Sequence, residues 1–331
     1  MALHRLAVAG LAAVLWGSCA GPAAAQAPER LVVFGNSLSD TGNAYRLTQL
    51  RPEGAIPPSP TYFEGRFSNG PVWVETLAPL LGVPSERLVV RAFGGAETGL
   101  ALVPPGIRSQ VLAFLGSGAR AGAGDLVVVW GGGNDYRFNA DAPDQAALVD
   151  RTVGNLVAGI EALAATGARD ILVPNLPDLG TLPEARAAEM VRPGHAALLS
   201  ALSQAHNARL AERLAELRLR DPGLTLRQLD VNGLFAAIQA DPAAYGITNT
   251  SVPCLLEVPP GAVVPSGACA TPEAAAGALF FDPVHPSATG HDLLGRYAAS
   301  MLGAPVQAAA GSAAQPGLAL LAGAELGEAA A

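Results

Sequence analysis

The sequence has few charged residues and no excess of positive charge. Only 15% of its 331 residues are charged and the formal net charge is -8, whereas 50% are hydrophobic. Unfolded chains and proteins that coat nucleic acids have the opposite balance, so both classes are excluded. A chain of this length buries a core of its own and fits one large α/β domain or two small ones.

The sequence also lacks the short motifs of nucleotide and metal sites. No GxGxxG follows the first predicted strand and no GxxxxGK[ST] occurs, which argues against a nucleotide-binding protein. There are only three cysteines, with no CxxC pair and no histidine-rich spacing, which argues against a zinc site.

The hydrophobic run at the N-terminus is too short to span a membrane. A short basic start precedes an apolar run from Leu6 to Trp16, and small residues follow as far as Ala25. This order is typical of a secretory signal peptide over 1–25, and it predicts a secreted or periplasmic protein. Lipid attachment at Cys19 is a disfavoured alternative, because Trp16 stands where a lipoprotein signal has leucine.

Removal of this signal would leave two cysteines, Cys254 and Cys269, in an oxidising compartment. An even count in such a compartment predicts a disulfide bond that closes the loop between them.

Five apolar runs of strand length are spaced along the chain. They are nearly continuous rather than alternating, which indicates strands covered on both faces, as in a parallel sheet. The runs are Leu31 to Phe34, Leu88 to Phe93, Leu126 to Trp130, Ile171 to Pro174 and Leu224 to Leu229.

Amphipathic helical patterns lie between these runs. Residues 149–164 carry apolar side chains at three- and four-residue spacing, and Gly167 is placed to end that helix. A longer pattern extends from His195 to Leu219. Because parallel strands need crossover helices, the alternation predicts a three-layer α/β/α sandwich around a central parallel five-stranded sheet.

We interpret 26–303 as one domain, followed by an Ala/Gly-rich tail over 304–331. Two long Pro-rich and Gly-rich segments, 42–70 and 241–277, interrupt the alternation. Loops of that length in a compact domain are usually functional covers or binding loops.

Polar residues at the ends of the predicted strands are the candidates for chemistry, because open parallel sheets bind ligands beyond their carboxyl ends. The first strand ends in Gly35-Asn36-Ser37, the second in Gly94-Gly95 and the third in GGGND, residues 131–135. A late segment, FFDPVHPSATGH, places Asp282 and His285 just before the final predicted helix.

These residues meet the requirements of acyl transfer, which are a hydroxyl nucleophile, a base, a group that orients the base, and donors for the oxyanion. Ser37 supplies the hydroxyl, His285 the base, and Asp282 a carboxylate that can hold its Nδ1 proton. The Ser37 N–H, a glycine N–H after the second strand and the Asn134 amide supply the donors. No metal or organic cofactor is required for this chemistry.

Four segments in the same order resemble the sequence blocks of the GDSL or SGNH hydrolases. They are FGNSLSDTGN, AFGGAETG, WGGGNDY and FFDPVHPSATGH. A further segment, GRFSNGPVWVE, is similar to the secreted lipase and esterase branch, which includes phospholipase-like proteins and autotransporter esterase domains. The resemblance extends from Leu31 to Leu302 and implies a flavodoxin-like α/β/α fold with a serine esterase or lipase activity.

The resemblance also implies a role for each candidate. Ser37 corresponds to the nucleophile, His285 to the base, Asp282 to the acid of the triad and Asn134 to the oxyanion asparagine. The oxyanion glycine is Gly95 or its neighbour Gly94, and we favour Gly95 because it directly precedes the Ala-Glu-Thr segment.

One residue departs from the family motif, which has aspartate in Gly-Asp-Ser-Leu where this chain has Asn36. Asparagine is nearly isosteric with aspartate and keeps one carbonyl acceptor. We expect Asn36 to form a hydrogen bond within the turn that presents Ser37, without a place in the proton relay.

The expected function is a secreted ester hydrolase whose partner is a small-molecule or lipid ester, with peripheral contact to lipid surfaces and no nucleic acid. An acyltransferase that uses the same site is one alternative, and a surface-binding protein that keeps the fold without turnover is another. The aromatic residues Tyr62, Phe63 and Phe67 either pack their loop onto the domain or line an acyl pocket, and we favour packing.

Overall fold

The computed structural model describes residues 27–258 and 262–304. The predicted signal peptide, including Cys19, and the tail beyond residue 304 lie outside the described residues.

Five parallel strands form the central sheet, as the apolar runs predict. They are β1 (Leu31–Phe34), β2 (Leu88–Val90), β3 (Leu126–Val129), β4 (Asp170–Pro174) and β5 (Thr225–Leu229). Their order is β2-β1-β3-β4-β5, and in the register of the sheet Val33 lies between Val90 and Val128. This is the order of flavodoxin-like sheets, in which ligands bind at the switch point between the first and third strands.

Strands β1 and β3 are fully buried, whereas the two edge strands are not. Every residue of β1 and β3 is buried, which explains their continuous apolar sequences. Strand β2 ends before the predicted Phe93, although the Arg91 and Phe93 N–H groups still bond to carbonyls of Val33 and Gly35. Strand β5 is an edge strand among the described residues, and its burial alternates, with Thr225 exposed and Leu226 buried, because one of its faces is covered less than the other.

Helices cover both faces of the sheet. They are α1 (Asn43–Thr48), α2 (Trp73–Leu80), α3 (Ile107–Gly116), α4 (Gly133–Asn139), α5 (Gln145–Ala165), α6 (Pro183–Glu189), α7 (His195–Arg220), α8 (Val231–Ala240), α9 (Pro272–Ala276) and α10 (Ala288–Met301). Helices α3, α5 and α7 pack side by side in one layer, and α2, α10 and α8 pack in the other. None of the helices formed by the described residues is both long and apolar enough to cross a bilayer.

The two long segments contain more regular structure than the sequence indicates. The first includes α1, and the second includes α9 and a hairpin of β6 (Leu255–Val258) and β7 (Ala262–Pro265). The Cys254–Cys269 disulfide predicted from the sequence is confirmed, and it joins the two ends of this hairpin. The hairpin was not predicted. Most of its side chains are exposed, so its apolar residues do not recur at the two-residue spacing of a strand or the 3.6-residue spacing of a helix.

Candidate active site

A tight turn after β1 presents Ser37 at the carboxyl edge of the sheet. Gly35 begins this turn, and a side chain at this position would meet the Trp130 carbonyl oxygen at 3.0 Å. Residues Ser37–Ser39 then form one turn of 3₁₀ helix. The Asn36 side chain accepts a hydrogen bond from the Leu38 N–H at 3.1 Å, as expected for a residue that braces this turn.

A second turn, far along the chain, holds Asp282 and His285. One carboxylate oxygen of Asp282 accepts the backbone N–H groups of Val284 at 2.8 Å and His285 at 2.7 Å. The other oxygen lies 2.7 Å from His285 Nδ1. The turn therefore fixes the carboxylate and the imidazole relative to each other before any substrate binds.

The two turns meet at a hydrogen bond between residues 248 positions apart. His285 Nε2 lies 2.8 Å from Ser37 Oγ. Because an ionised carboxylate only accepts hydrogen bonds, Asp282 fixes the tautomer that carries its proton on Nδ1. Nε2 is then free to accept the proton of the Ser37 hydroxyl, which is the geometry that an activated serine requires.

Asp282 remains ionised although it is buried. Burial by itself would raise the pKa of Asp282, but attraction to the His285 ring and hydrogen bonds from His285 and Val284 lower the pKa below its usual value. A carboxylate held in its charged form is suited to stabilise a neighbouring imidazolium.

Three groups are the candidate oxyanion donors, and Ser37, Gly95 and Asn134, which carry them, line one cavity. The Ser37 N–H and the Gly95 N–H have no acceptor among the described residues, whereas the Gly94 N–H is bonded to Asp40 at 2.8 Å. This difference supports the choice of Gly95 over Gly94. Asn134 Nδ2 donates one proton to the Ala96 carbonyl at 2.9 Å and has a second proton available.

Two buried carboxylates hold the loops that carry these donors. Asp40 accepts the N–H groups of Gly42, Asn43, Ala44 and Gly94, so it connects the Ser37 turn to the glycine loop. Asp135 accepts the N–H and the hydroxyl of Thr98 in the same loop. Burial raises the pKa of Asp135 to about 6.

Arg137 orients the Asn134 amide, a contact that the sequence did not reveal. Its Nη1 donates to Asn134 Oδ1 at 3.0 Å, so the NH₂ end of the amide is turned toward the glycine loop. Arg137 also forms a two-bond ion pair with Glu184, with both distances 2.6 Å.

Glu184 in turn connects this pair to the turn of Asp282 and His285. Its backbone N–H donates to the carbonyl of Pro283, which lies in that turn. One chain of contacts thus joins Asn134 to the turn that carries Asp282 and His285.

Tyr62 is a second residue that sequence reasoning did not place in the site. Its hydroxyl donates to the same Asp282 oxygen that His285 contacts, at 2.8 Å. The ring is buried against Phe281 and Cys254, and Phe281 also accepts a hydrogen bond from Leu255 of the hairpin. The only available signal was an aromatic cluster in a Pro-rich loop, because Tyr62 and Asp282 are 220 positions apart.

The other two aromatic residues of this loop differ in their surroundings. Phe67 lies against the His285 ring, with centroids 5.1 Å apart, and Phe63 is partly exposed under the Arg66 guanidinium. The predicted packing role therefore describes Tyr62 well, while Phe67 also lines the cavity beside Ser37.

Two cavities meet at Ser37, Asn134 and His285. The first, named here the inner pocket, is lined by buried apolar side chains from the β4–α6 connection, α8, the α9–α10 connection and α10: Leu176, Leu179, Val231, Phe235, Phe280 and Leu294. The second, named the outer groove, is lined mainly by side chains at the surface: Leu47, Ile56, Phe67, Val103 and Phe138. In the described part of the chain, no group of three or more His, Cys, Asp or Glu side chains is placed to hold a metal ion.

Two of the remaining described histidines, His206 and His291, are buried in the core and make no hydrogen bond to Ser37. His206 is buried with Nδ1 against the Tyr136 hydroxyl, and His291 accepts the Trp73 N–H from within α10. Burial lowers the pKa of both rings to about 3. They are therefore neutral parts of the core, as are Trp73 and Trp130, which pack edge to face.

Comparisons with known proteins agree with the resemblance read from the four blocks. Phosphatidylcholine-sterol acyltransferase of Aeromonas hydrophila is 33% identical over 236 residues, which are 68% of this chain and 65% of that protein. An uncharacterised protein from the trpE-trpG intergenic region of Pseudomonas putida is 31% identical over 92% of this chain and 53% of its own length. The chain thus spans between about half and two-thirds of these curated relatives.

Among solved structures, a carbohydrate acetylesterase from Sinorhizobium meliloti aligns over 83% of this chain and 99% of its own, at 17% identity and a TM-score of 0.45. The sequence model of GDSL-like lipases and acylhydrolases matches residues 31–298, most of the chain and all of the segments that meet at Ser37. The chain therefore belongs to the GDSL-like lipase/acylhydrolase family.

Proposed function

We propose that the protein is an exported serine ester hydrolase that cleaves carboxylic esters through an acyl-enzyme intermediate. The observation that carries this proposal is the row of contacts from Ser37 Oγ to His285 Nε2 at 2.8 Å and from His285 Nδ1 to Asp282 at 2.7 Å. Family membership supports the same reaction class.

In the first half of the reaction, Ser37 Oγ attacks the ester carbonyl carbon and its proton passes to His285 Nε2. The carbonyl oxygen becomes negative and accepts hydrogen bonds from the Ser37 N–H, the Gly95 N–H and the Asn134 amide. Ionised Asp282 stabilises the imidazolium. The bond from carbon to the alcohol oxygen then breaks, and His285 gives its proton to the departing alcohol.

In the second half, water takes the place of the alcohol. His285 removes a proton from water, the resulting hydroxide attacks the acyl carbon, and the bond to Ser37 Oγ breaks as Oγ regains the proton. Purified protein should release p-nitrophenol and the free acid from p-nitrophenyl esters. Release no faster than in buffer would refute the proposal.

An acyltransferase reaction is the second candidate, because a relative is named for transfer to a sterol and the outer groove leaves His285 accessible to an alcohol. Product analysis with an added alcohol separates the two reactions. A hydrolase forms mainly free acid, whereas a transferase forms mainly the new ester at low alcohol concentration. The intact contact between Ser37 and His285 argues against a binding protein that has lost turnover.

Export is proposed from the sequence of residues 1–25. N-terminal sequencing of protein recovered from the periplasm or medium should begin at Gln26. A mature protein that still starts at Met1 would contradict cleavage, and a lipid-modified Cys19 would favour the lipoprotein alternative.

Loss of the Tyr62 hydroxyl should lower kcat about tenfold while KM changes little. Tyr62→Phe keeps the ring in its buried site but removes one donor from Asp282, and bonds to charged groups contribute about 1.5–3 kcal/mol. The carboxylate then orients His285 less firmly. Steady-state kinetics with p-nitrophenyl acetate measure the effect.

Tyr136→Phe is the matched control, because it likewise removes one buried, hydrogen-bonded tyrosine hydroxyl. The partner of that hydroxyl is His206, which is not part of the proposed triad. The stability of this variant should fall by a similar amount while its kcat stays within about threefold of the native value. An equal loss of kcat in both variants would assign Tyr62 a purely structural role.

Replacement of Asn36 by the family aspartate should give equal or higher turnover. Asn36→Asp retains an oxygen to accept the Leu38 N–H and leaves the proton relay untouched. The measurement is kcat/KM of the variant and the native protein at one pH. A large loss would mean that the turn depends on the amide protons of Asn36.

A further inference from the structure

Ser37 lies at the junction of two cavities with different surroundings. The inner pocket is closed in by the core, since Val231 is 0% and Leu294 1% exposed. The outer groove is open, since Val103 is 64% and Phe138 58% exposed. Ser37 and His285 line both cavities. An ester whose carbonyl lies at Ser37 therefore extends its acyl part into one cavity and its alcohol part into the other.

We propose that the inner pocket binds the acyl chain of the substrate and the outer groove its alcohol part, an assignment that rests on the proposed ester hydrolysis. The substrate class is then an aliphatic acyl ester of a large, partly apolar alcohol. The order of the reaction decides which part lies where. The alcohol must leave and water must reach His285 while the acyl group stays on Ser37, so the alcohol side has to be the open one.

The chemistry of the inner pocket suits a hydrocarbon chain. Its deeper wall is formed by aliphatic and aromatic side chains such as Leu176, Leu179 and Phe235. The charged group at its mouth, Arg137, is paired with Glu184 and bonded to Asn134. Each methylene buried there should raise affinity roughly fourfold, which corresponds to ~0.8 kcal/mol.

Gly133 offers a way to fill the inner pocket without disturbing the fold. It is the first residue of α4 and lines the pocket, and a Cβ at this position would meet only Leu179 Cδ2, at 3.8 Å. Gly133→Val therefore adds hydrocarbon where a chain would lie. Leu47→Glu is the matched change in the outer groove, because Leu47 is 46% exposed and tolerates a charge.

Two ester series separate the two sites. In p-nitrophenyl esters, Gly133→Val should lower the hexanoate-to-acetate ratio of kcat/KM at least about tenfold, and Leu47→Glu should leave that ratio unchanged. In the acetate series, Leu47→Glu should lower the ratio of kcat/KM for octyl acetate to kcat/KM for ethyl acetate several-fold. Gly133→Val should leave that ratio unchanged. Ratios are compared because a disturbance of neighbouring Asn134 would slow all esters alike. Unchanged ratios, or the opposite pairing of variant and series, would overturn the assignment.

Binding to the inactive protein tests the pocket independently of turnover. Calorimetric titration of Ser37→Ala with straight-chain carboxylates of two to eight carbons should show affinity rising with length until the pocket is filled. The rise should be lost in Ser37→Ala/Gly133→Val. Absence of any length dependence would overturn the assignment even if esters are hydrolysed. Length-dependent binding without hydrolysis by the native protein would instead refute the proposed function and retain the pocket as an aliphatic site.

Discussion

Ser37→Ala should hydrolyse p-nitrophenyl esters at least about 10⁴-fold more slowly than the native protein. Only the Ser37 hydroxyl lies within proton-transfer distance of His285 Nε2 among the described contacts of that ring. Its removal leaves the oxyanion donors but no nucleophile, and such losses in serine hydrolases are of this size. Initial rates for acetate and hexanoate, measured with the same protein preparation, provide the comparison.

Ser39→Ala is the control for the turn itself. Ser39 lies in the same 3₁₀ turn and accepts a hydrogen bond from Trp73 Nε1 at 3.0 Å, away from His285. Its loss should cost some stability and leave turnover within about threefold. Equal rates in native protein and Ser37→Ala would end the serine-hydrolase proposal.

Asn134→Ala should lower kcat by about 100-fold or more with little effect on folding. The amide is oriented by Arg137 and the Ala96 carbonyl, so one proton remains for the negative oxygen of the intermediate. Loss of a single oxyanion donor usually costs 10² to 10³ in kcat. Rates and thermal unfolding of the variant should be measured together.

Asn139→Ala, five residues further along α4, is the matched control. Asn139 donates to Glu97 and to the Asp135 carbonyl rather than toward Ser37. We expect its kcat to remain close to that of the native protein. If the two variants lose activity in parallel, Asn134 acts through the position of α4 and not as an oxyanion donor.

The central strands of the sheet could be predicted from the sequence, because burial on both faces restricts them to apolar residues. The run Leu31 to Phe34 is apolar at every position because helices cover both faces of β1. The disulfide followed from the number of cysteines and the expected compartment. The hairpin of β6 and β7 was missed because few of its side chains enter the core, so its sequence has no periodic pattern.

The five candidate residues meet at one place because each follows a strand or precedes the last helix on the same edge of the sheet. Tyr62 and Arg137 could not be found in this way. Their positions depend on how a Pro-rich loop and α6 pack against the site, and no local pattern records that packing. The Tyr62 contact has a physical reason, because the buried Asp282 carboxylate needs hydrogen-bond donors.

Tyr62 and Arg137 fix the side chains of the site from two sides. On one side, Tyr62 bonds directly to Asp282, and the disulfide-linked hairpin contacts the neighbouring Phe281. On the other, Arg137 and Glu184 connect Asn134 to the Pro283 carbonyl. Pre-formed donors and a fixed base stabilise a transition state without reorganisation when the reaction occurs.

The claim that Ser37 is the nucleophile that carries the acyl group is central, and covalent labelling of the nucleophile is the most direct test. Native protein treated with an alkyl fluorophosphonate should gain the mass of one adduct, and peptide mapping should place the adduct on Ser37. Unmodified Ser37 in a labelled protein, with the adduct on another residue, would contradict the account.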